Sequence, residues 1–272
     1  MYLTNPFPDS KEKRELRRRD RHLLREFMTA TGKQGLRYCG LPSVEFLDVR
    51  EWASLLSSVT AVEFDPEVAD AMRLTVELGE FEMPVTLVQR DVYEYMKEPE
   101  TFDVYNLDFF KGMTYAQASN TSDCIEALKG VFASQRLAKA SFALIATFQV
   151  RDSGKSEYLG LLEEVQKELS SHNNAHDNLE KHKSHHARLV KFCFPYSCAL
   201  QAHANSFHLA CKRITRYQSS VSMIHFHQWF LYRDHILPRS SVASVVEVAN
   251  QTLYKMEGQV PIPDFVPPHI DM

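Results

Sequence analysis

Between residues 36 and 150, short runs rich in β-branched and aromatic residues alternate with stretches of helical period, and this alternation leaves the chain few folds to choose from. Leu36-Arg37-Tyr38-Cys39-Gly40 reads as a strand, followed by the turn Leu41-Pro42-Ser43. Ser43 is placed to cap a helix over Val44–Ser57, with Val44, Leu47, Trp52, Leu55 and Leu56 on one stripe. Thr60–Phe64 is a second strand ending at Asp65-Pro66, and the proline suits the first position of a helix over Glu67–Leu78. Val85–Val88 is a third strand, and a short helix starts at Val92–Met96. A helix from about Ser119 to Leu137 leads to a further strand, Ser141–Val150. Strands and helices joined this tightly predict a parallel sheet covered on both faces. The expected class is therefore α/β: a Rossmann-like, doubly wound, mostly parallel sheet.

The fourth strand is the most informative stretch, Phe102-Asp103-Val104-Tyr105-Asn106-Leu107-Asp108-Phe109-Phe110-Lys111-Gly112. It opens as a buried strand and then, where the apolar run ends, places Asn106, Asp108, Lys111 and Gly112. Ligands of open α/β sheets bind beyond the carboxyl ends of the strands. A polar cluster at such an end is either a site or a strand running into a polar turn.

Outside this region the pattern changes. Residues 1–35 predict a basic N-terminal helical arm, capped by Ser10, with Leu16, Leu23, Leu24, Phe27 and Met28 on one face. Its other face carries Lys11, Lys13, Arg14 and Arg17 to Arg25, interspersed with Glu12, Glu15 and Asp20. That composition suits a solvated helix with internal ion pairs, or one that touches phosphates. The α/β domain is expected to span 36–238, with a helical insertion at 151–213 that is rich in histidine and broken at Pro195. Ile214–Gln218 and Ser222–Arg233 read as two strands, the second forming the antiparallel edge of the sheet. A helix through Val242–Met256 and a proline-rich tail, Pro261–Met272, make up 239–272.

The net charge of −4 conceals a segregation: residues 1–40 carry ten Lys/Arg against five Asp/Glu, and residues 41–110 carry four against sixteen. A cationic arm beside an acidic nucleus points to an anionic partner at the edge of the fold. The five cysteines (Cys39, Cys124, Cys193, Cys198, Cys211) form no CxxC pair, which implies reduced thiols and a cytoplasmic setting. No apolar run is long enough to span a membrane, and the N-terminus lacks the apolar core of a signal peptide. Neither a Gly-x-Ser-x-Gly elbow nor a P-loop is present. His172/His176 and His182/His186 have i,i+4 spacing without an evident third ligand, so they read as a solvated helix and no metal is expected. His225 and His227 share one face of their strand beside Trp229, either buried or handling a proton at the rim.

Glu63 and Asp65 end the second strand, Asp91 ends the third, and Asn106 with Asp108 ends the fourth. These acids, in "TAVEFDPEVADAM", "VTLVQRDVYEYM" and "FDVYNLDFF", follow one another as in the class I S-adenosylmethionine-dependent methyltransferases, which the chain resembles over about residues 36–150 and in the closing hairpin. The resemblance implies S-adenosylmethionine as cofactor. It implies that Glu63 or Asp65 holds the ribose, that Asp91 and Val92 flank the adenine, and that the first turn, with Tyr38 and Gly40, meets the cofactor. Asn106 and Phe109 match the Asn-x-x-aromatic spacing of family members acting on amino groups, although Leu107 and Asp108 stand where two prolines are usual. Asn106, Asp108 and Phe109 are thus the expected catalytic set. The family's glycine-rich loop is reduced here to Gly40, with Pro42 close behind. The implied activity is methyl transfer to an amino group, on a nucleic acid met by the basic helix. The rival is an inactive methyltransferase-like module that binds nucleic acid or a protein partner.

Overall fold

A computed structural model describes residues 9–79, 81–109, 124–149, 194–218 and 222–232. In chain order these form α1 (Lys11–Thr31), β1 (Leu36–Gly40), α2 (Leu47–Trp52), a 3-10 turn (Ala53–Leu55), β2 (Leu56–Glu63), α3 (Pro66–Glu77) and β3 (Val85–Gln89). There follow α4 (Val92–Tyr95), β4 (Val104–Phe109), α5 (Cys124–Leu137), β5 (Phe142–Gln149), α6 (Phe194–Ala204), β6 (Phe207–Gln218) and β7 (Ser222–Tyr232). The strands make one sheet in the order β3-β2-β1-β4-β5-β7-β6. Neighbours from β3 to β5 pair in parallel, and β7 runs antiparallel to both β5 and β6. The expected class, a doubly wound and mostly parallel sheet, is the one observed. The order reverses between β1 and β4, so the crevice beyond their carboxyl ends is the switch point at which such sheets bind ligands.

Each face has its own core. On one side Leu23, Leu24 and Phe27 of α1, Val49 and Trp52 of α2 and Met72 of α3 bury against Tyr38, Val59, Ala61, Val104, Ile145 and Trp229. On the other, α4, α5 and α6 cover Tyr105, Leu107, Leu144, Phe148 and Phe226. Phe132, Phe142, Phe207 and Phe230 form the densest part, with ring centroids 4.8 to 5.8 Å apart. Such pairs contribute roughly 0.5–1.5 kcal/mol each beyond their burial. They join α5 to β5, β6 and β7 and so fix the antiparallel end of the sheet.

Four expectations change. The stretch after β1 is not a helix over 44–57: Ser43 does not cap it, and Phe46, buried and left-handed at φ 53°, stands at the start of a six-residue α2. The stripe yields to the ladder, because Leu56 pairs with Leu36 and Val59 with both Tyr38 and Val85, so β2 begins at Leu56 rather than Thr60. Next, β6 starts at Phe207, so 207–213 belongs to the sheet and not to an insertion. Phe207 faces Tyr232 of β7, and the longer ladder satisfies backbone groups that a helical insertion would leave beside a bare strand. Third, β7 is interior and β6 is the edge, and with helices over both faces of the sheet His225, His227 and Gln228 are buried. Last, Asp20 is not solvated with the other charges of α1 but buried on its apolar face. Pro195 lies in the first turn of α6, where its missing N–H costs no helical bond. The histidines at 172–186, the segment 233–272 and the side chain of Phe109 lie outside the described residues.

Candidate functional site

A cavity of about 310 Å³ opens at the carboxyl rim of the sheet. Its wall is built from the ends of nearly every strand: Leu41, Pro42 and Ser43 after β1, Glu63 and Phe64 after β2, Asp91 and Val92 after β3, and Asn106 with Asp108 on β4. Thr147 of β5, His225 of β7 and Tyr217 of β6 close the far side, and Lys13, Arg17 and Asp20 of α1 cover it. The acids that were scattered in sequence therefore converge.

The first turn is held from within. A Cβ at Gly40 would fall inside the van der Waals surface of the Asn106 carbonyl oxygen and 2.7 Å from the Tyr38 hydroxyl. That glycine is needed for β1 to lie against β4. Tyr38 is fully buried and donates its hydroxyl to Asp48 Oδ2 at 2.7 Å. Burial and the adjacent Asp48 carboxylate both push the tyrosine's pKa well up. Neither Tyr38 nor Gly40 is on the cavity wall; the following Leu41, Pro42 and Ser43 are. The Ser43 hydroxyl is buried and has no hydrogen-bond partner among the described residues.

The two acids after β2 part company. Asp65 caps α3, accepting from the N–H groups of Glu67 at 2.9 Å and Val68 at 3.1 Å, and it is off the wall. Glu63 is on the wall, half-buried, and accepts the Asp65 N–H at 2.8 Å. Burial raises its pKa, an effect partly offset by the backbone N–H groups of Asp65 and Phe64. Asp91 caps α4 through the N–H of Tyr93 at 2.7 Å and of Glu94 at 3.3 Å, with Val92 beside it on the wall. Phe64, 54% exposed, offers an aromatic surface at the mouth.

On β4, Asn106 donates its amide to Asp48 Oδ2 and to the Tyr38 hydroxyl, the latter at 3.3 Å. Three side chains from β1, α2 and β4 thus form one polar knot, with Asp48 and Asn106 on the cavity wall and Tyr38 buried behind them. Asp108 differs: its Oδ1 is buried with no hydrogen-bond partner among the described residues. Burial raises its pKa, Lys13 and His225 pull the other way, and Asp48 adds to the rise. A carboxylate in this condition is set to receive a donor from a ligand.

Sequence reading passed over Asp48, Thr147, Tyr217 and the wall residues of α1. Asp20 had one usable signal: it falls one helical turn after Leu16 and one before Leu23 and Leu24, on the buried stripe. Asp48 sits between Leu47 and Val49 with no pattern to distinguish it.

Among solved structures, the chain is similar to magnesium protoporphyrin IX methyltransferase from Synechocystis PCC 6803 with bound SAM, at 13% identity over 81% of this chain and 82% of that one, TM-score 0.44. It is also similar to the N-methyltransferase NodS from Bradyrhizobium japonicum WM9 in complex with S-adenosyl-L-homocysteine (10%, 84% and 94%, TM-score 0.43). A third is TYW2 of M. jannaschii in complex with AdoMet (12%, 82% and 77%, TM-score 0.41). No curated protein matches the sequence. Residues 83–267, more than half of the chain, match the family model described as PP_RS20740-like, and the chain belongs to that family.

Proposed function

We propose that this protein is an S-adenosylmethionine-dependent methyltransferase whose acceptor is an amino group carried on a nucleic acid. The observation that supports this reading is the cavity at the β1/β4 switch point, where Glu63, Asp91 and Asp108 from three successive strand ends meet. The cavity volume is at the lower end of the range typical of small-molecule sites. Its donor set fits the cofactor: Glu63 would hold the ribose hydroxyls, Val92 and Phe64 would border the adenine, and the unpartnered Ser43 hydroxyl offers a polar contact at the first turn. When bound, S-adenosylmethionine supplies an electrophilic methyl group on a sulfonium. The chain's own task is to align the acceptor nitrogen with it. Asp108 is the group we assign to that task, because its carboxylate faces the cavity unsatisfied and accepts N–H bonds. Asn106, tied to Asp48 and Tyr38, braces β4 beneath it.

Support for a nucleic-acid carrier is the exposed row Lys11, Arg18 and Arg25 on the outward face of α1, the helix whose opposite face covers the cavity. Other cations of α1 are engaged: Arg14 and Arg17 with Asp9, Arg19 with Glu15, and Arg21 with Glu51. One observation favours a second reading, a binding module without catalysis: the space around Gly40 is filled by Asn106 and Tyr38 rather than left for a ligand.

Incubating the full chain with tritiated S-adenosylmethionine and total RNA or DNA separates the two. The enzyme reading predicts label retained in nucleic acid, falling about 10²–10⁴-fold in Asp108→Ala while cofactor affinity stays nearly constant. Saturable cofactor binding with no label in either nucleic acid would exclude that acceptor. No cofactor binding at all would leave the module reading.

A further inference from the structure

Behind Asp108, a polar chain runs across the sheet to α1. Asp108 of β4 is directly opposite Thr147 of β5, and Thr147 is directly opposite His225 of β7. The three side chains form one row on the α1 face, and all three line the cavity. Thr147 Oγ1 is 2.9 Å from His225 Nδ1, and His225 Nε2 is 3.0 Å from Asp20 Oδ2 on α1. Asp20 also meets His227 Nδ1 at 2.8 Å, and Trp229 donates its indole N–H to His227 Nε2 at 3.1 Å.

Donor and acceptor rules fix the protons. A carboxylate only accepts and an indole N–H only donates. His227 therefore carries its hydrogen on Nδ1, toward Asp20, with Nε2 filled by Trp229; it is locked neutral. Burial acts in the same direction, lowering its pKa. His225 carries its hydrogen on Nε2, also toward Asp20, which leaves Nδ1 to accept from Thr147. A hydroxyl can donate and accept, so Thr147 can equally receive a hydrogen from a protonated His225 and turn its own toward the cavity. Of this pair, His225 is the one whose partner works in both directions.

From this geometry we infer that Thr147, His225 and Asp20 form a proton relay for the cavity: Thr147 takes the proton of the acceptor nitrogen and His225 stores it, held by Asp20. The inference rests on the methyl-transfer reading, and it adds the exit route of the proton. As the nitrogen–methyl bond forms and the carbon–sulfur bond breaks with its electron pair left on sulfur, the nitrogen loses a proton to Thr147 Oγ1. The Thr147 hydroxyl proton moves to His225 Nδ1. The positive charge that leaves sulfur reappears on the imidazole, where the Asp20 carboxylate meets it. Asp108 orients the amine and need not take its proton. Thr147 is the catalytic residue here; His225 and Asp20 are positioning residues that act through it. Among the described residues, the other titratable groups that act on His225 are His227 on its own strand and Asp108 on β4, and Tyr217 of β6 faces Asp108 and Asp20. Arg213 of β6 bonds Thr215, the residue opposite His225, and Lys212 lies over the Trp229 ring.

Two measurements on the full chain test the relay. Two-bond ¹H–¹⁵N spectra of the imidazoles, recorded without ligand, should show His225 as the Nε2–H tautomer with a hydrogen-bonded Nδ1. Thr147→Val should move that Nδ1 resonance toward its free value, and Thr147→Ser should restore it, with His227 unchanged in both. Tritium transfer from S-adenosylmethionine to total RNA or DNA, followed against pH, should fall about 10²–10⁴-fold in Thr147→Val and return in Thr147→Ser. The acid limb of the wild-type profile should disappear in His225→Gln. Cofactor affinity, measured by calorimetry, should change by less than about twofold in each variant, because these residues meet the other substrate. Intact transfer in Thr147→Val, or an Nδ1–H tautomer at His225, overturns the relay and leaves methyl transfer standing. A flat calorimetric trace with S-adenosylmethionine overturns both.

Discussion

Asp108, half-buried with its Oδ1 out of contact with solvent, and the fully buried Asp20 both lie on the α1 face, and their surroundings give them opposite pH behaviour. Asp108 has no hydrogen-bond partner for Oδ1 among the described residues, and burial raises its pKa. Its ionisation therefore opposes folding: this contribution is most favourable below the unfolded value of about 3.9 and is lost as pH rises through the folded value. Asp108→Asn is expected to raise Tm at neutral pH by a few degrees, corresponding to about 1 kcal/mol, with the gain shrinking toward acid pH. Thermal melts at several pH values check this, and a lower neutral Tm would mean that the carboxylate has a donor in the folded chain. For Asp20, burial also pushes upward, but His225 and His227 outweigh it and hold the carboxyl well below the usual range. Here stability is present above about pH 3.9 and is lost as pH falls through the folded value. Asp20→Ala leaves the buried N–H groups of two neutral imidazoles without an acceptor and should cost roughly 1–3 kcal/mol for each by chemical denaturation. Neither behaviour was legible in the sequence. Asp108 was singled out by its place at a strand end, but its lack of a partner depends on packing. Asp20 was read as solvated because its partners are 205 and 207 residues away.

At the scale of elements, α1 carries the largest revision. Its apolar stripe was visible in Leu16, Leu23, Leu24 and Phe27, yet its density of arginine suggested an arm. In the structure the stripe lies in the sheet's core, and Trp52 of α2 donates its indole N–H to the Arg17 carbonyl at 2.9 Å. Burying Leu23, Leu24 and Phe27 contributes about 1.5–3 kcal/mol each, comparable in sum with the whole stability of a domain. Deleting residues 1–31 is thus expected to abolish cooperative unfolding by circular dichroism, and a deletion that melts normally would contradict the packing described. The role of the exposed cations is better probed by K11E/R18E/R25E, which leaves the stripe intact. If those side chains meet phosphates, the triple variant should flatten the salt dependence of nucleic-acid affinity by about three contacts' worth of slope; an unchanged slope would assign the face to solvent. The β6–β7 hairpin shows a different limit of sequence reading. Both strands were found, but partial alternation in Met223–Phe230 suggested an edge. Both faces of β7 are buried because helices cover the sheet on both sides, α5 and α6 over Ile224, Phe226 and Phe230 and α1 over Trp229, and the buried His225 and His227 find their acceptor in Asp20 of α1.

Across the whole molecule, the alternation of strands and helices from residue 36 to 150 was enough to set five parallel strands and the rim on which their acids gather. Composition at strand ends therefore located the cavity, while the choice between neighbouring acids had to wait for geometry. Asp65 is a helix cap and Glu63 a wall residue, a difference of two positions along an irregular turn. That distinction bears directly on whether the cavity holds S-adenosylmethionine. Isothermal titration of the full chain with S-adenosylmethionine and S-adenosylhomocysteine, repeated with Glu63→Ala and Asp65→Ala, measures it. The expected result is saturable binding of both ligands, weakened by roughly 1.5–3 kcal/mol in Glu63→Ala and little changed in Asp65→Ala. A flat titration of the wild type, or equal losses in the two variants, would contradict the assignment of this cavity to the cofactor.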